Sequence, residues 1–356
     1  MKNPMNSTPT EQSSAANIER FVWDVTYACP LRCLHCYSES GRRASRTLSR
    51  EDAMRVIDVM VSKSPRRVSF SGGEPLLVQW WGQAARRLEA AGIPLTLHTS
   101  GWLMDDEMAN ELADCVRTVG VSVDGGTEQT HDTVRGRQGS FRKAMDALEH
   151  LARVKREREA RGARCYELGV DFTVTGRALA EMDTFVEGMT SRFGALDYVR
   201  LGGAIPCGLA EEESYAGDLL TEDQLAELVE SAPRLEALSK NGIRVNVTDV
   251  RLFRPDSPLS VEGDTHAHLE PDGQLRAFAT YEAKVGSVLD VPIDELWARA
   301  LAWRNEPFVC EQRNSIRNTA DWARVARVLD QRYGSKDDLV RISRRGRASN
   351  PVPEEL

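Results

Sequence analysis

Phe21-Val22-Trp23-Asp24-Val25-Thr26-Tyr27-Ala28-Cys29-Pro30-Leu31-Arg32-Cys33-Leu34-His35-Cys36-Tyr37 is an apolar run that ends in three cysteines spaced C-x-x-x-C-x-x-C. Residues 21–27 are rich in β-branched and aromatic side chains and short enough to be a buried strand. The cysteines then fall in the loop leaving its carboxyl end, where α/β folds place their chemistry. Three thiolates this close together can ligate three irons of a cubane cluster and leave the fourth iron open, since a closed 4Fe-4S site takes four cysteines. The alternative is a structural zinc site with His35 or a distant cysteine as fourth ligand. Against it, His35 lies between two of the cysteines and no second C-x-x-C knuckle follows.

Downstream the chain alternates. Ser49 followed by Asp52 reads as a helix start, and Ala53, Val56, Ile57 and Met60 then share one helical face. A second strand over residues 67–70 runs into Ser71-Gly72-Gly73-Glu74-Pro75, where two glycines let the backbone approach a ligand and Pro75 stiffens the exit. A helix over 80–91 leads to a strand over 94–99 and Ser100-Gly101, and a helix over 105–114 leads to a strand over 118–123 and Asp124-Gly125-Gly126. A long helix carries Phe141, Met145, Leu148 and Ala152 inward, followed by strands over 166–174 and 197–201. Strand, Gly-rich loop, helix, repeated, predicts parallel strands with the functional loops on one rim.

These motifs together resemble the radical S-adenosylmethionine (SAM) superfamily. The resemblance rests on the cysteine spacing with Tyr37 after it, on Gly72-Gly73-Glu74-Pro75, and on Ser122-Val123-Asp124-Gly125. It covers about residues 20–205 and implies an α/β core, the partial (β/α)6 TIM-like barrel. By that resemblance Cys29, Cys33 and Cys36 hold one 4Fe-4S cluster whose open iron takes the amino and carboxylate groups of SAM. Gly72, Gly73, Glu74 and Pro75 receive the SAM ammonium. Ser100 (where the family usually has Asn), Ser122 and Asp124 contact its ribose and carboxylate, and Arg135 pairs with the carboxylate in two-point geometry. Tyr37 belongs to the same cofactor pocket.

The 356 residues, 41% of them hydrophobic, suffice for a full core. A net charge of −8, from 46 basic and 54 acidic residues, argues against a general nucleic-acid binder. The basic runs over 153–164 and 341–347 read as a solvated helix face and a frayed tail, or as a landing site for an acidic peptide or RNA. Seven cysteines, three clustered and four scattered, do not make a disulfide framework. No run is apolar enough for a membrane span and no signal peptide is visible, so a cytoplasmic protein is expected.

The expected organisation is a disordered leader over 1–19, the core over 20–205, a small α+β domain over 206–317, and a C-terminal helix with a disordered tail over 318–356. The third part carries a helix over 221–240, a strand over 243–247 and the Leu269-Glu270-Pro271-Asp272-Gly273-Gln274-Leu275 hairpin, and Gly286-Ser287-Val288 and Pro292-Ile293-Asp294-Glu295-Leu296-Trp297 follow at a distance that resembles the SPASM or twitch domain of peptide-modifying relatives. No cysteine lies between Cys207 and Cys310, so this SPASM-like domain is expected to lack a second cluster, with both cysteines as buried or incidental thiols. Cys207 is also a candidate hydrogen-atom donor. His266 and His268 point to one face of a strand, either to solvent or to a metal or substrate. An amphipathic helix from Asn318 carries Trp322, Val325, Ala326 and Leu329.

The resemblance implies an enzyme that abstracts hydrogen from a ribosomally made precursor peptide, with a separate peptide-recognition protein to deliver it and flavodoxin or ferredoxin as electron donor. The alternatives are a small-molecule enzyme acting on a sugar, nucleoside, aminocyclitol or tetrapyrrole, and a non-catalytic metal protein of the same fold.

Overall fold

The computed structural model describes residues 17–255 and 265–345. Its centre is one ten-stranded sheet. Six strands follow the expected order: β1 (Arg20–Thr26), β2 (Arg67–Gly72), β3 (Leu95–Thr99), β4 (Thr118–Ser122), β5 (Glu167–Val174) and β6 (Tyr198–Gly203). All are parallel neighbours, as strand–helix–strand crossovers require. The crossovers are α1 (Arg50–Ser62), α2 (Trp81–Ala90), α3 (Asp106–Cys115), α4 (Glu128–Arg135) with α5 (Ser140–Ala160), and α6 (Met182–Arg192). Ser49 caps α1 by accepting from the Asp52 amide, and Asp105 and Thr127 cap α3 and α4 in the same way. The α1 residues Ala53, Val56, Ile57 and Met60 are buried, the face that the sequence spacing marks.

The expected helix over 221–240 is two, α7 (Glu222–Glu230) and α8 (Ala232–Leu238). Pro233 has no amide to donate into a continuous helix, and Ser231 turns its hydroxyl onto the Leu228 carbonyl at the break.

Among the described residues the second half does not build a sheet of its own. The strand β7 (Arg244–Thr248) extends the parallel sheet beyond β6. At the opposite edge β8 (His266–Leu269) lies parallel to β1, followed by antiparallel β9 (Gln274–Arg276) and β10 (Lys284–Ser287). The expected hairpin is present, with Gly273 at φ +79° in its turn. The sheet thus passes the expected boundary at residue 205 without a break, because the edges of β1 and β6 offer unpaired backbone that β8 and β7 satisfy.

Helices α9 (Ile293–Arg304), α10 (Pro307–Asn314), α11 (Thr319–Tyr333) and α12 (Lys336–Ile342) close the fold. Trp322, Val325, Ala326 and Leu329 of α11 pack on Phe278, Tyr281, Val309 and Ile316 in a small core separate from the main sheet–helix core. The segment that sequence reads as a frayed tail is ordered through 345, and Arg345 is buried. The reading of disorder over 1–16 and 346–356 lies outside the described residues. Among the described residues no helix is long and apolar enough to cross a membrane. Within the basic run over 153–164, Arg153 and Arg158 of α5 pair with Asp106 and Asp114, and Arg164, in the loop after α5, pairs with Glu89 at 2.5 Å.

Candidate functional site

The loop after β1 is laced to its surroundings by backbone. Gly73 N–H donates to the Thr26 carbonyl at 2.8 Å and Glu74 N–H to that of Ala28 at 2.9 Å, which fastens the Gly-Gly turn after β2 to the chain entering Cys29. Arg32 and Leu34 amides donate to the carbonyls of Arg135 and Val134 at the end of α4, and the Leu209 amide donates to that of Cys36 at 3.1 Å. Gly136 ends α4 at φ +65°, and a Cβ there would lie 2.2 Å from the Arg32 carbonyl oxygen, so glycine both caps the helix and admits the cysteine loop.

Cys29, Cys33 and Cys36 are free thiols lining one cavity of about 410 Å³. Tyr37, Gly72, Gly73, Ser100, Ser122 and Arg135 line it too. Residues from β2 through β7 reach the same cavity, from Ser71 to Thr248, which a flat sheet cannot do; the sheet curves around it.

Three expected cofactor contacts are placed differently. Glu74 and Pro75 are buried and do not line the cavity. Glu74 instead accepts from Thr99 Oγ1 at 2.9 Å, from the Ser100 amide at 2.9 Å and from Ser100 Oγ at 2.5 Å. Burial raises its pKa, and these donors oppose the rise without cancelling it. Asp124 is also wholly buried behind the cavity wall. It accepts the Thr173 amide at 2.8 Å, and its other oxygen lies 2.8 Å from His35 Nε2 and 2.7 Å from Arg135 Nε. Burial works against this carboxylate, yet the Arg135 charge and the His35 bond hold its pKa well below the usual range. Arg135, paired to Asp124, turns Nη1 toward Cys33 Sγ at 3.7 Å.

Burial pushes the Cys33 thiol up to about 11 against the opposing charge of Arg135, and it raises Cys29 well above the ordinary range. A metal binding these thiols must therefore displace their protons. Among the described residues no three His, Cys, Asp or Glu side chains converge on one metal ion. His35, the candidate fourth zinc ligand, is engaged with Asp124. Three thiols on one cavity wall are the number that could ligate three irons of a cubane and leave the fourth without a cysteine.

A second cavity of about 340 Å³ shares His35, Tyr37, Ser71, His98, Thr173 and Gly203 with the first. His266 and His268 line it, so they face the interior rather than solvent; Cys207 lines it as well. His268 Nε2 sits 3.1 Å from Asp24 Oδ2, and Tyr37 donates its hydroxyl to Asp24 Oδ1 at 2.6 Å. His98 Nδ1 lies 2.9 Å from Asp171 Oδ2, and Arg200 Nη1 lies 3.1 Å from Asp171 Oδ1. Sequence reasoning missed His98, Asp171, Arg200 and Asp24 as site residues and considered His35 only as a zinc ligand. The signal was there: Asp24, His98, Asp171 and Arg200 each interrupt an apolar parallel strand, where a charge needs a reason.

Residues 23–166 match the family model described as the radical SAM superfamily. That stretch is a radical SAM domain, and the family implies a 4Fe-4S cluster and SAM. It is 31% identical over 260 residues to the mycofactocin maturase MftC of Mycobacterium tuberculosis, covering 72% of this chain and 57% of that protein. To the AdoMet-dependent heme synthase of Methanosarcina barkeri it is 29% identical, covering 81% of this chain and 84% of that one. The chain spans about half the length of the mycofactocin maturases it matches. In fold it is similar to Streptococcus suis SuiB bound to S-adenosylmethionine, with TM-score 0.62, 14% identity, and 84% of this chain and 68% of that one covered. SuiB is also known bound to its precursor peptide SuiA. The shared architecture is the TIM-like α/β barrel.

Proposed function

We propose that this chain is a radical SAM enzyme whose substrate is a ribosomally made precursor peptide. The observation that carries it is that three free thiols line the same cavity as the Gly72-Gly73 turn. Cys29, Cys33 and Cys36 would hold one 4Fe-4S cluster, leaving one iron for SAM. Bound there, the cluster and SAM would supply one-electron reductive chemistry and a 5′-deoxyadenosyl radical able to take hydrogen from a substrate.

The chain's own residues prepare this site. Gly72 and Gly73 present backbone to the SAM ammonium, and Ser100 and Ser122 present hydroxyls from neighbouring strand ends. Arg135 places a positive charge beside Cys33 and favours the thiolate that a metal requires. Asp124 and Glu74 act from behind: one orients Arg135 and His35, the other Ser100. The second cavity, continuous with the first, would receive the reacting side chain, with His98, His266 and His268 on its wall.

The peptide reading is supported by the maturase relative and by the fold shared with a precursor-peptide-bound protein. It implies an electron donor such as flavodoxin or ferredoxin, and a separate recognition protein. A second reading, a small tetrapyrrole-like substrate, is favoured by one observation: the heme synthase relative is matched over 84% of its length. Anaerobic reconstitution tests the radical chemistry. About four irons per chain are expected, with 5′-deoxyadenosine released on adding dithionite and SAM, and with both lost when any of the three cysteines becomes alanine. One zinc per chain and no SAM cleavage would overturn it. A short open reading frame beside the gene, whose peptide product changes mass with the loaded enzyme, separates the peptide from the tetrapyrrole.

A further inference from the structure

The buried end of the described chain grips the cysteine loop. Arg345 donates through Nε to Glu39 Oε1 at 2.7 Å, places Nη2 at 2.5 Å from the same oxygen, and pairs through Nη1 with Glu211. Arg341, one helical turn earlier, also pairs with Glu39, and its Nη2 lies 2.9 Å from Glu282 Oε1. All three glutamates are buried, as is Arg345.

Both acidic partners on the site side are joined to Cys36. Glu39 is three residues beyond it, and its amide donates to the Cys36 carbonyl at 3.4 Å. Glu39 stands at φ +53°, a left-handed conformation that a residue with a side chain holds only under constraint. Glu211 ends the short turn Gly208–Glu211, whose Leu209 amide donates to the same Cys36 carbonyl. A buried carboxylate is costly unless paired, so Glu39 and Glu211 stay where they are only while the arginines are in place.

The network extends to the hairpin. Lys284 of β10 bonds Asp338 of α12 at 2.6 Å and lies 3.4 Å from Glu270, while Arg276 of β9 lies 3.1 Å from Glu270. Charge pairs thus cross-link the β8–β10 edge, α12 and the cysteine loop, in the part of the chain where sequence provides no second set of cysteines.

We propose that Arg345 and Arg341 are positioning residues: α12 and the residues after it clasp the cysteine loop through Glu39 and Glu211 and hold Cys33 and Cys36 in their metal-binding arrangement. The purpose of the clasp rests on the reading of these cysteines as cluster ligands, but its existence does not.

The test uses the full chain, metal-free and reduced, with iodoacetamide as probe and mass spectrometry to follow each cysteine. Cys115, buried in the main core, reports global opening. In Arg345→Ala, Cys33 and Cys36 are expected to react about tenfold faster relative to Cys115, the signature of a local opening. Glu39→Gln leaves Arg345 with Glu211 and Glu282 and is expected to move the same ratio in the same direction; it alone decides the matter if Arg345→Ala unfolds and Cys115 accelerates equally. A ratio unchanged from the parent in Glu39→Gln, or in a folded Arg345→Ala, overturns the clasp. Reconstituting the parent separates the two ideas: a chain that takes up no iron defeats the cluster reading and leaves the alkylation result standing.

Discussion

Ser100 reaches Glu74 Oε2 twice, through its amide at 2.9 Å and its hydroxyl at 2.5 Å. The Gly-Gly turn after β2 and the loop after β3 are thereby one unit, held by a buried carboxylate whose donors come from the next strand end.

Removing that carboxylate's charge should loosen both loops together. Glu74→Gln is expected to lower stability by about 1–3 kcal/mol, because a buried amide leaves one of its former donors facing another donor. Urea unfolding measures this. Ser100→Ala removes one of the two bonds and should cost about 1 kcal/mol. A Glu74→Gln chain as stable as the parent would show that the carboxylate is not what couples the loops.

Two glycines make opposite predictions. A Cβ on Gly73 would stand 2.0 Å from the Ala28 carbonyl oxygen, backbone that cannot move without shifting Cys29. Gly73→Ala is expected to reduce iron uptake from about four per chain to under about one, read by iron analysis after anaerobic reconstitution. Gly188, exposed inside α6, has nothing within 4 Å of such a Cβ. Gly188→Ala should stabilise the fold by about 0.5–1 kcal/mol through helix propensity. Full iron loading in Gly73→Ala would show that the loop tolerates displacement.

The buried His131 gives stability a pH dependence. Its Nδ1 accepts the Asp124 amide at 3.1 Å, and burial, helped by the Arg135 charge, pushes its pKa down to about 4 from 6.5. The unfolded chain takes up this proton near pH 6.5 and the folded chain near 4, so the unfolded state binds more protons between them. The contribution is fully present above pH 6.5 and is lost as pH falls toward 4, by up to about 3 kcal/mol. Urea midpoints measured across that window should fall more steeply in the parent than in His131→Asn. Parallel slopes would exclude His131 as the source.

Tyr37 joins the cysteine loop to the barrel interior. Its hydroxyl donates to Asp24 and accepts the Gly72 amide at 3.2 Å. In Tyr37→Phe the Gly72 amide loses its side-chain partner and Asp24 keeps only His268, so SAM affinity, measured anaerobically on the reconstituted chain, is expected to weaken about tenfold. Unchanged affinity would mean that the turn is held by its backbone bonds to Thr26 and Ala28 alone.

Local pattern determined much of this protein. The strand leading into the Cys29, Cys33 and Cys36 loop, the Gly72-Gly73 turn and the alternation through β6 are short-range signals, because side-chain period, caps and glycine conformations act over a few residues. Tertiary structure decided what depends on partners distant in sequence. Glu74 and Asp124 carry the residue types of ligand contacts, yet each is turned inward by donors from other strands. His266 and His268 alternate correctly on a strand, but only the pairing of β8 with β1 tells which face is the interior. Arg341 and Arg345 read as a basic tail for the same reason: no local pattern reveals that Glu39, Glu211 and Glu282 converge to receive them, and a charge is buried or solvated according to its partner in space.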